Sequence, residues 1–226
     1  KSKQNTDTAT IISSTQKKDR IIYVHKGASL DLKMDDFKRS QLKADWIYLA
    51  SLMNQSWKTA VEIAKYSQEH QINLLFNPSL YLARKGVRFL KPVLQATSVL
   101  VLNLEEAQAL LKVKANPKIL LPKLSKLGPR IVVITNGAKT LHAYNGKFYA
   151  SPPPKINVVN TAGSGDAFTA GFLAGIIRKQ PFSESIRQGQ AQASSVIQHL
   201  GTKNKLLNSE EVKNFIKRHK IKVTIK

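Results

Sequence analysis

The sequence predicts an α/β fold, a mainly parallel sheet covered by helices, with a small open-faced pair of strands at its amino end. Three observations carry this expectation. Short apolar runs of sheet-forming residues alternate with helical stretches from Ala44 onward, which is the pattern of strands buried on both faces. A pair of segments mixing β-branched and polar residues precedes them, suited to a sheet with an open face. The chain has 226 residues and 42% hydrophobic content, enough to bury a sizeable core.

In chain order, Thr8-Ala9-Thr10-Ile11-Ile12-Ser13 and Arg20-Ile21-Ile22-Tyr23-Val24-His25 read as two hairpin strands joined by a polar turn. The buried strands are Trp46 to Leu49, Ile72 to Phe76, Val99 to Leu102 and Ile131 to Ile134, separated by helical stretches such as Ser56 to His70. A second hairpin follows, Leu141 to Tyr144 and Lys147 to Tyr149, with Asn145-Gly146 between them as a type I′ signal. Pro152-Pro153-Pro154 holds the next stretch extended. The rest is helical, Gly165 to Lys179, Ser183 to His199 and Ser209 to Lys217, before Ile221 to Ile225, which can add an edge strand.

Composition excludes several chemistries. There is no cysteine, which removes disulfide frameworks, thiolate zinc sites and cysteine nucleophiles and suits a reducing compartment. The five histidines are scattered without ligand spacing. Lysine plus arginine exceed the acids by 36 to 14, a net charge of +22. The cations are spread, with clusters only at Lys17-Lys18-Asp19-Arg20 and Lys217-Arg218-His219-Lys220, and aromatics are 7%, mostly among apolar neighbours. A nucleic-acid partner is therefore disfavoured, since such readers interleave cations with exposed aromatics. The most apolar run, Ala167 to Ile177, is far short of the ~20 residues that span a bilayer, and the amino end has no secretory core. The expectation is a cytoplasmic protein without a membrane partner.

The densest chemical signal is Asn160-Thr161-Ala162-Gly163-Ser164-Gly165-Asp166-Ala167-Phe168-Thr169-Ala170-Gly171-Phe172. Small residues open an amphipathic helix whose Phe168, Phe172 and Ile176 face a core. The backbone N–H groups of Gly163, Ser164 and Gly165 are expected to be accessible there, where the helix dipole favours an anion. Asp166 beside that cradle suits a base accepting the proton of an alcohol that attacks a phosphoryl group. A carboxylate that only complements the dipole is the plainer alternative. Asn103-Leu104-Glu105-Glu106 follows a buried strand, and its spacing is that of a capping box with Asn103 as N-cap. No Gly-Lys-Ser/Thr occurs, which excludes kinases of the Walker type.

The string from Asn160 to Gly171 resembles the carboxy-terminal signature of the ribokinase-like (PfkB) carbohydrate kinases, usually Asp-Thr-x-Gly-Ala-Gly-Asp. Other motifs agree in order. Asn103-x-x-Glu106 is similar to the family's Asn-x-x-Glu, Thr135-Asn136-Gly137 to its Thr-x-Gly, and Lys26-Gly27-Ala28-Ser29 to the end of its lid strand. Gln190 to Val196 resembles the small-residue helix bordering the adenine pocket. The resemblance implies a ribokinase-like three-layer sandwich, with residues 1–30 as lid strands and 31–226 as the nucleotide-binding and catalytic unit. It implies Asp166 as catalytic base, Gly163, Ser164 and Gly165 as anion hole, and Asn103, Thr135, Gly137 and Gln190 as nucleotide contacts. Glu106 would hold Mg2+ through water. Asn160, Ala162, Val196, His199 and Gly201 would form a K+ site, and Lys26 and Ser29 would meet the substrate.

The implied reaction transfers the ATP γ-phosphoryl group to a hydroxyl of a sugar, sugar acid or nucleoside, and a homodimer through the lid is compatible with it. The alternatives are an inactive nucleotide-binding scaffold and a basic nucleic-acid-associated protein. Two departures stand out. Asn160 replaces the usual Asp, removing a negative charge beside the K+ loop. The family's opening strand, Gly-Gly switch and amino-terminal sugar-gripping aspartate have no counterpart, so the chain is expected to be the carboxy-terminal part of a longer family domain.

Overall fold

A computed structural model describes residues 3–13 and 20–225. β1 (Thr8–Ser13) and β2 (Arg20–His25) pair antiparallel from Thr8↔His25 to Ser13↔Arg20 and form a separate two-stranded sheet. The polar turn expected between them, residues 14–19, lies outside the described residues. Three short 3₁₀ turns, Ala28–Leu30, Met34–Asp36 and Arg39–Leu42, carry the chain onward.

The main sheet has seven strands whose spatial order is their chain order: β3 (Trp46–Leu49), β4 (Asn73–Phe76), β5 (Val99–Asn103), β6 (Ile131–Thr135), β7 (Leu141–Tyr144), β8 (Phe148–Ser151) and β9 (Thr224–Ile225). β3 to β6 are parallel, and β6 to β9 are antiparallel. The parallel half is joined by helical crossovers: α1 (Gln55–Glu69), the pair α2 (Leu80–Lys85) and α3 (Val87–Ala96), and the pair α4 (Leu104–Leu111) and α5 (Pro117–Ser125). After β8 come α6 (Ser164–Ile177), α7 (Phe182–Val196) and α8 (Ser209–His219). No helix among the described residues is long and apolar enough to cross a membrane.

The period-2 alternation of strand side chains divides the core into two layers. Leu74, Phe76, Leu100, Leu102, Val132 and Ile134 are buried with Ala64 of α1, Leu90 of α3, Leu110 of α4 and Leu120 of α5. Leu75, Val99, Val101 and Val133 point the other way, against Phe168 and Phe172 of α6 and Ile186 of α7. The architecture is thus the expected three-layer sandwich, with α8 packed on α7 through Val212 and Ala191.

Two local expectations are corrected. The Asn145-Gly146 connection is not a two-residue type I′ turn. Tyr144 pairs with Phe148, so the loop holds three residues, and only Gly146 has positive φ (97°) where type I′ needs two. α6 is also not a one-sided amphipathic helix. Phe168 and Phe172 face the sheet as expected, but Gly171 and Gly175 bring the flank beside them close against Gln188, Gln192 and Ser185 of α7, and the burial runs round the helix from Ala167 to Leu173. The small residues of that flank serve helix–helix packing.

Candidate active site

An open cavity of about 870 Å³ lies where the four parallel strands end. Its wall is built from Ala50 and Ser51 after β3, Asn77, Pro78 and Ser79 after β4, Asn103 to Glu106 at β5 and the start of α4, and Thr135 to Gly137 after β6. Thr161, residues 163–166 and Thr169 close it from the amino end of α6. Loops at the carboxyl ends of parallel strands are where α/β sheets leave a crevice for ligands, and here two helix N-termini converge on it.

At α6, Gly163 occupies the N-cap with φ 78°. An added Cβ would lie 2.3 Å from the Thr202 carbonyl, so the turn closes against the 200–202 loop only with glycine at this position. The backbone N–H groups of Gly163, Gly165 and Asp166 have no hydrogen-bond partner among the described residues. Ser164 differs from the other expected cradle residues. Its N–H makes a long 3.4 Å bond to the Thr161 carbonyl, and its hydroxyl donates to the same oxygen at 2.9 Å. A Cβ added at Gly165 would meet nothing within 4 Å, which marks open space beside these donors. Asp166 is exposed in the first turn.

At α4, both readings of Asn103-x-x-Glu106 coexist. Asn103 Oδ1 accepts from the Glu106 N–H and Glu106 Oε2 accepts from the Asn103 N–H, each at 2.8 Å, so the capping box is real. Among the described residues it leaves the Asn103 Nδ2 and Glu106 Oε1 without a hydrogen bond on the cavity wall. Burial, with Glu105 and Asp166 nearby, raises the Glu106 carboxyl above the ordinary glutamate range despite the Asn103 N–H that opposes it. Thr135 pairs with Asn103 across β5 and β6, and its hydroxyl donates to the Leu102 carbonyl at 3.3 Å. Gly137 lines the cavity in the turn that follows.

The wall holds Glu105, Glu106 and Asp166, and no three His, Cys, Asp or Glu side chains gather into a metal cage among the described residues. This donor set fits Mg2+, a hard ion that keeps most of its waters and takes one or two carboxylates together with substrate phosphates. Glu106 is the residue that would hold it.

Several expected site residues stand elsewhere. Gln190 is buried and off the cavity wall, its Nε2 donating to the Ser151 carbonyl at 3.0 Å, so it ties α7 to β8. Lys26 and Ser29 are also absent from the wall. They bind Asp7, through an ion pair at 3.1 Å and a hydroxyl–carboxylate bond. The loops of the K+ expectation do lie side by side, since Val159 and Asn160 both donate to the Ile197 carbonyl. Within them Asn160 Oδ1 accepts from the Ala162 N–H and the Val196 carbonyl from the His199 N–H, while Gly201 turns with φ 98°.

Ser51, Asn77 and Ser79 also line the cavity without a motif to mark them, although each stands just past the end of an expected strand. The Asn77 Nδ2 donates to the Val101 carbonyl at 2.8 Å, and the Ser51 hydroxyl accepts from the Ser79 N–H. Beside them the Tyr48 phenol is pushed up to about 12, by burial first and by the Asp166 charge second, so it remains a proton donor near Asp166.

The pfkB family carbohydrate kinase model matches residues 1–209, and the chain belongs to that family. An uncharacterized sugar kinase of Archaeoglobus fulgidus is 26% identical over 196 residues, covering 86% of this chain and 78% of the relative. A cytidine kinase of Thermococcus kodakarensis is 40% identical over 77 residues, which is 33% of this chain and 28% of that protein. Among solved structures, a ribokinase of Thermotoga maritima superposes with a TM-score of 0.79 at 22% identity, over 95% of this chain and 70% of its own. That likeness bears on the fold.

Proposed function

We propose that this chain moves the γ-phosphoryl group of ATP to a hydroxyl of a sugar, sugar acid or nucleoside, with Asp166 as the base. The observation that supports this most is the amino end of α6, where unpartnered N–H groups and an exposed carboxylate share one turn on the cavity wall. In the proposed step Asp166 takes the acceptor hydroxyl proton. The acceptor oxygen bonds the γ-phosphorus as the bond to the β-phosphate oxygen breaks, and ADP leaves. The N–H groups of Gly163, Gly165 and Asp166 stabilise charge on the phosphoryl oxygens. Asn103, Thr135 and Gly137 contact the nucleotide, and Ser51, Asn77 and Ser79 are left for the acceptor. When bound, Mg2+ neutralises phosphate charge; K+ beside residues 160–162 and 196–201 is a further part of the proposal, as is the division into a lid of residues 1–30 and a catalytic unit of residues 31–226.

The direct test is Mg-ATP turnover against a panel of sugars, sugar acids and nucleosides, read as ADP release. Turnover with one acceptor class is expected. Nucleotide binding without turnover on any acceptor would favour the scaffold alternative.

The two roles of the α4 motif separate by mutation. Asn103→Ala removes the cap and is expected to lower stability by about 0.5–2 kcal/mol. Glu106→Gln keeps a capping box, because glutamine also serves at N3. It also removes a charge whose ionised form the fold disfavours, so its melting temperature should hold or rise at neutral pH while Mg-nucleotide binding weakens. The sign follows from the raised carboxyl. Protonation of Glu106 on acidification relieves the folded state and weakens Mg-nucleotide binding at a higher pH than an ordinary glutamate would. Melting curves and Mg-ADP titrations across pH on both variants check this, and a stability loss in Glu106→Gln with unchanged nucleotide binding would assign the motif to capping alone.

A further inference from the structure

The lid hairpin has exposed apolar side chains along both strands, Ile11, Ile12, Ile21 and Ile22 among them, so packing of its faces does little to orient it. An isolated two-stranded hairpin is marginal by itself. Its open end is different. Asp7, immediately before β1, gathers the chain that leaves β2. Its Oδ1 accepts from the Gly27 N–H at 2.9 Å and the Ser29 N–H at 3.2 Å, and its Oδ2 accepts from the Ser29 hydroxyl and faces the Lys26 ammonium at 3.1 Å. These donors hold its carboxyl far below the usual carboxylate range. The backbones cross closely, since the Ala28 N–H donates to the Asn5 carbonyl at 2.9 Å and a Cβ at Gly27 would lie 2.1 Å from that oxygen.

From this clamp a chain of hydrogen bonds runs into the main body. The Ser56 hydroxyl, buried in the first turn of α1, donates to the Ser29 carbonyl and accepts from the Leu32 N–H, each at 2.8 Å, and the buried Thr59 hydroxyl donates to the Leu32 carbonyl at 2.7 Å. The loop entering α1 carries Ser51 on the cavity wall, where its hydroxyl holds the Ser79 N–H. Buried polar links of this kind are expensive to break, because each lost partner leaves a desolvated group.

We infer that Asp7 is a positioning residue that fixes the lid to the acceptor side of the cavity, acting through residues 27–29 and Ser56 on the Ser51–Ser79 wall. The inference rests on the proposed kinase reading for the word acceptor, and on geometry alone for the coupling. It makes Asp7 neither a base nor a substrate contact: its carboxylate is saturated by its own donors.

The test compares wild type with Asp7→Ala and Asp7→Asn by amide hydrogen exchange and by steady-state kinetics. In Asp7→Ala, exchange is expected to accelerate in β1, β2 and residues 27–32 and, as the decisive signature, in residues 50–56, with β5 and β6 unchanged. The acceptor KM should rise by about tenfold while the ATP KM stays within about twofold, the split expected when acceptor binding alone is disturbed. Asp7→Asn, which keeps an oxygen for the Gly27 and Ser29 N–H groups, should fall between the two. Acceleration confined to the hairpin, or equal changes in both KM values, overturns the inference. If wild type phosphorylates no acceptor, the kinase reading fails by itself, and the response of residues 50–56 still decides whether Asp7 couples the lid to the cavity.

Discussion

Asp166→Asn is expected to lower the phosphoryl-transfer rate by ~10²–10⁴-fold, the usual contribution of a general base, while ADP affinity stays near that of wild type. The substitution keeps the side-chain volume and removes only the proton acceptor. It leaves intact the backbone donors of the same turn, since those belong to the helix N-terminus and not to the carboxylate. Asp166 is exposed and makes no intramolecular side-chain hydrogen bond among the described residues, so its loss should not unfold the turn. Single-turnover rates with calorimetric ADP binding on the same protein separate the two quantities. Retention of near-normal turnover would remove Asp166 from the chemistry, and a parallel loss of ADP affinity would give it a structural part in the cradle. Tyr48 bears on the same experiment: its phenol, held protonated to about 12, stays a donor through the neutral range and adds no titration there.

The second large effect separates two glycines two residues apart. Gly163→Ala places a Cβ 2.3 Å from the Thr202 carbonyl at φ 78°, so both the backbone and the facing loop must move. The unfavourable backbone conformation alone costs about 1–3 kcal/mol, and for a chain of this size each kcal/mol lowers the melting temperature by about 2–4 °C. Nucleotide affinity should fall with it, because the displaced turn carries the anion donors. Gly165→Ala meets no neighbour within 4 Å and has no positive φ. Its stability is expected to hold or improve slightly, as alanine favours a helix over glycine. Its nucleotide affinity should drop nevertheless, since the new methyl enters the open space beside the N–H groups. Equal melting temperatures for wild type and Gly163→Ala would remove the close approach as a constraint, and undiminished ADP binding by Gly165→Ala would move the phosphate away from this turn.

The alternation of Val99 to Leu102 and Ile131 to Ile134 with helical stretches was sufficient to read a helix-covered sheet, because strands buried on both faces must be apolar along their whole length. The Gly163-Ser164-Gly165-Asp166 turn was equally legible, since small residues at the start of an apolar helix leave its backbone N–H groups open to an anion. The helices α2, α3 and α5 were not legible in the same way. Pro92 and Pro122 interrupt the last two, and those helices persist because Leu90, Val93, Leu94, Leu120, Leu121 and Leu124 are fully buried against the sheet, a gain that outweighs local propensity.

Local chemistry is written in residue order: which residues can end a strand, cap a helix or open an anion-binding turn is set within a few positions of one another. Which of those residues meet follows from the packing of the folded chain. That packing brought Asn103 and Thr135 to one cavity because the parallel strands end on the same side, and Asp166 to it because α6 packs with its amino end there. It buried Gln190 against β8 because α7 packs there, and it joined Asp7 to Ser29 at the open end of the β1–β2 hairpin. Side-chain type and spacing act through the neighbouring few residues, whereas contacts between residues far apart in sequence follow from how layers pack, which no local pattern encodes.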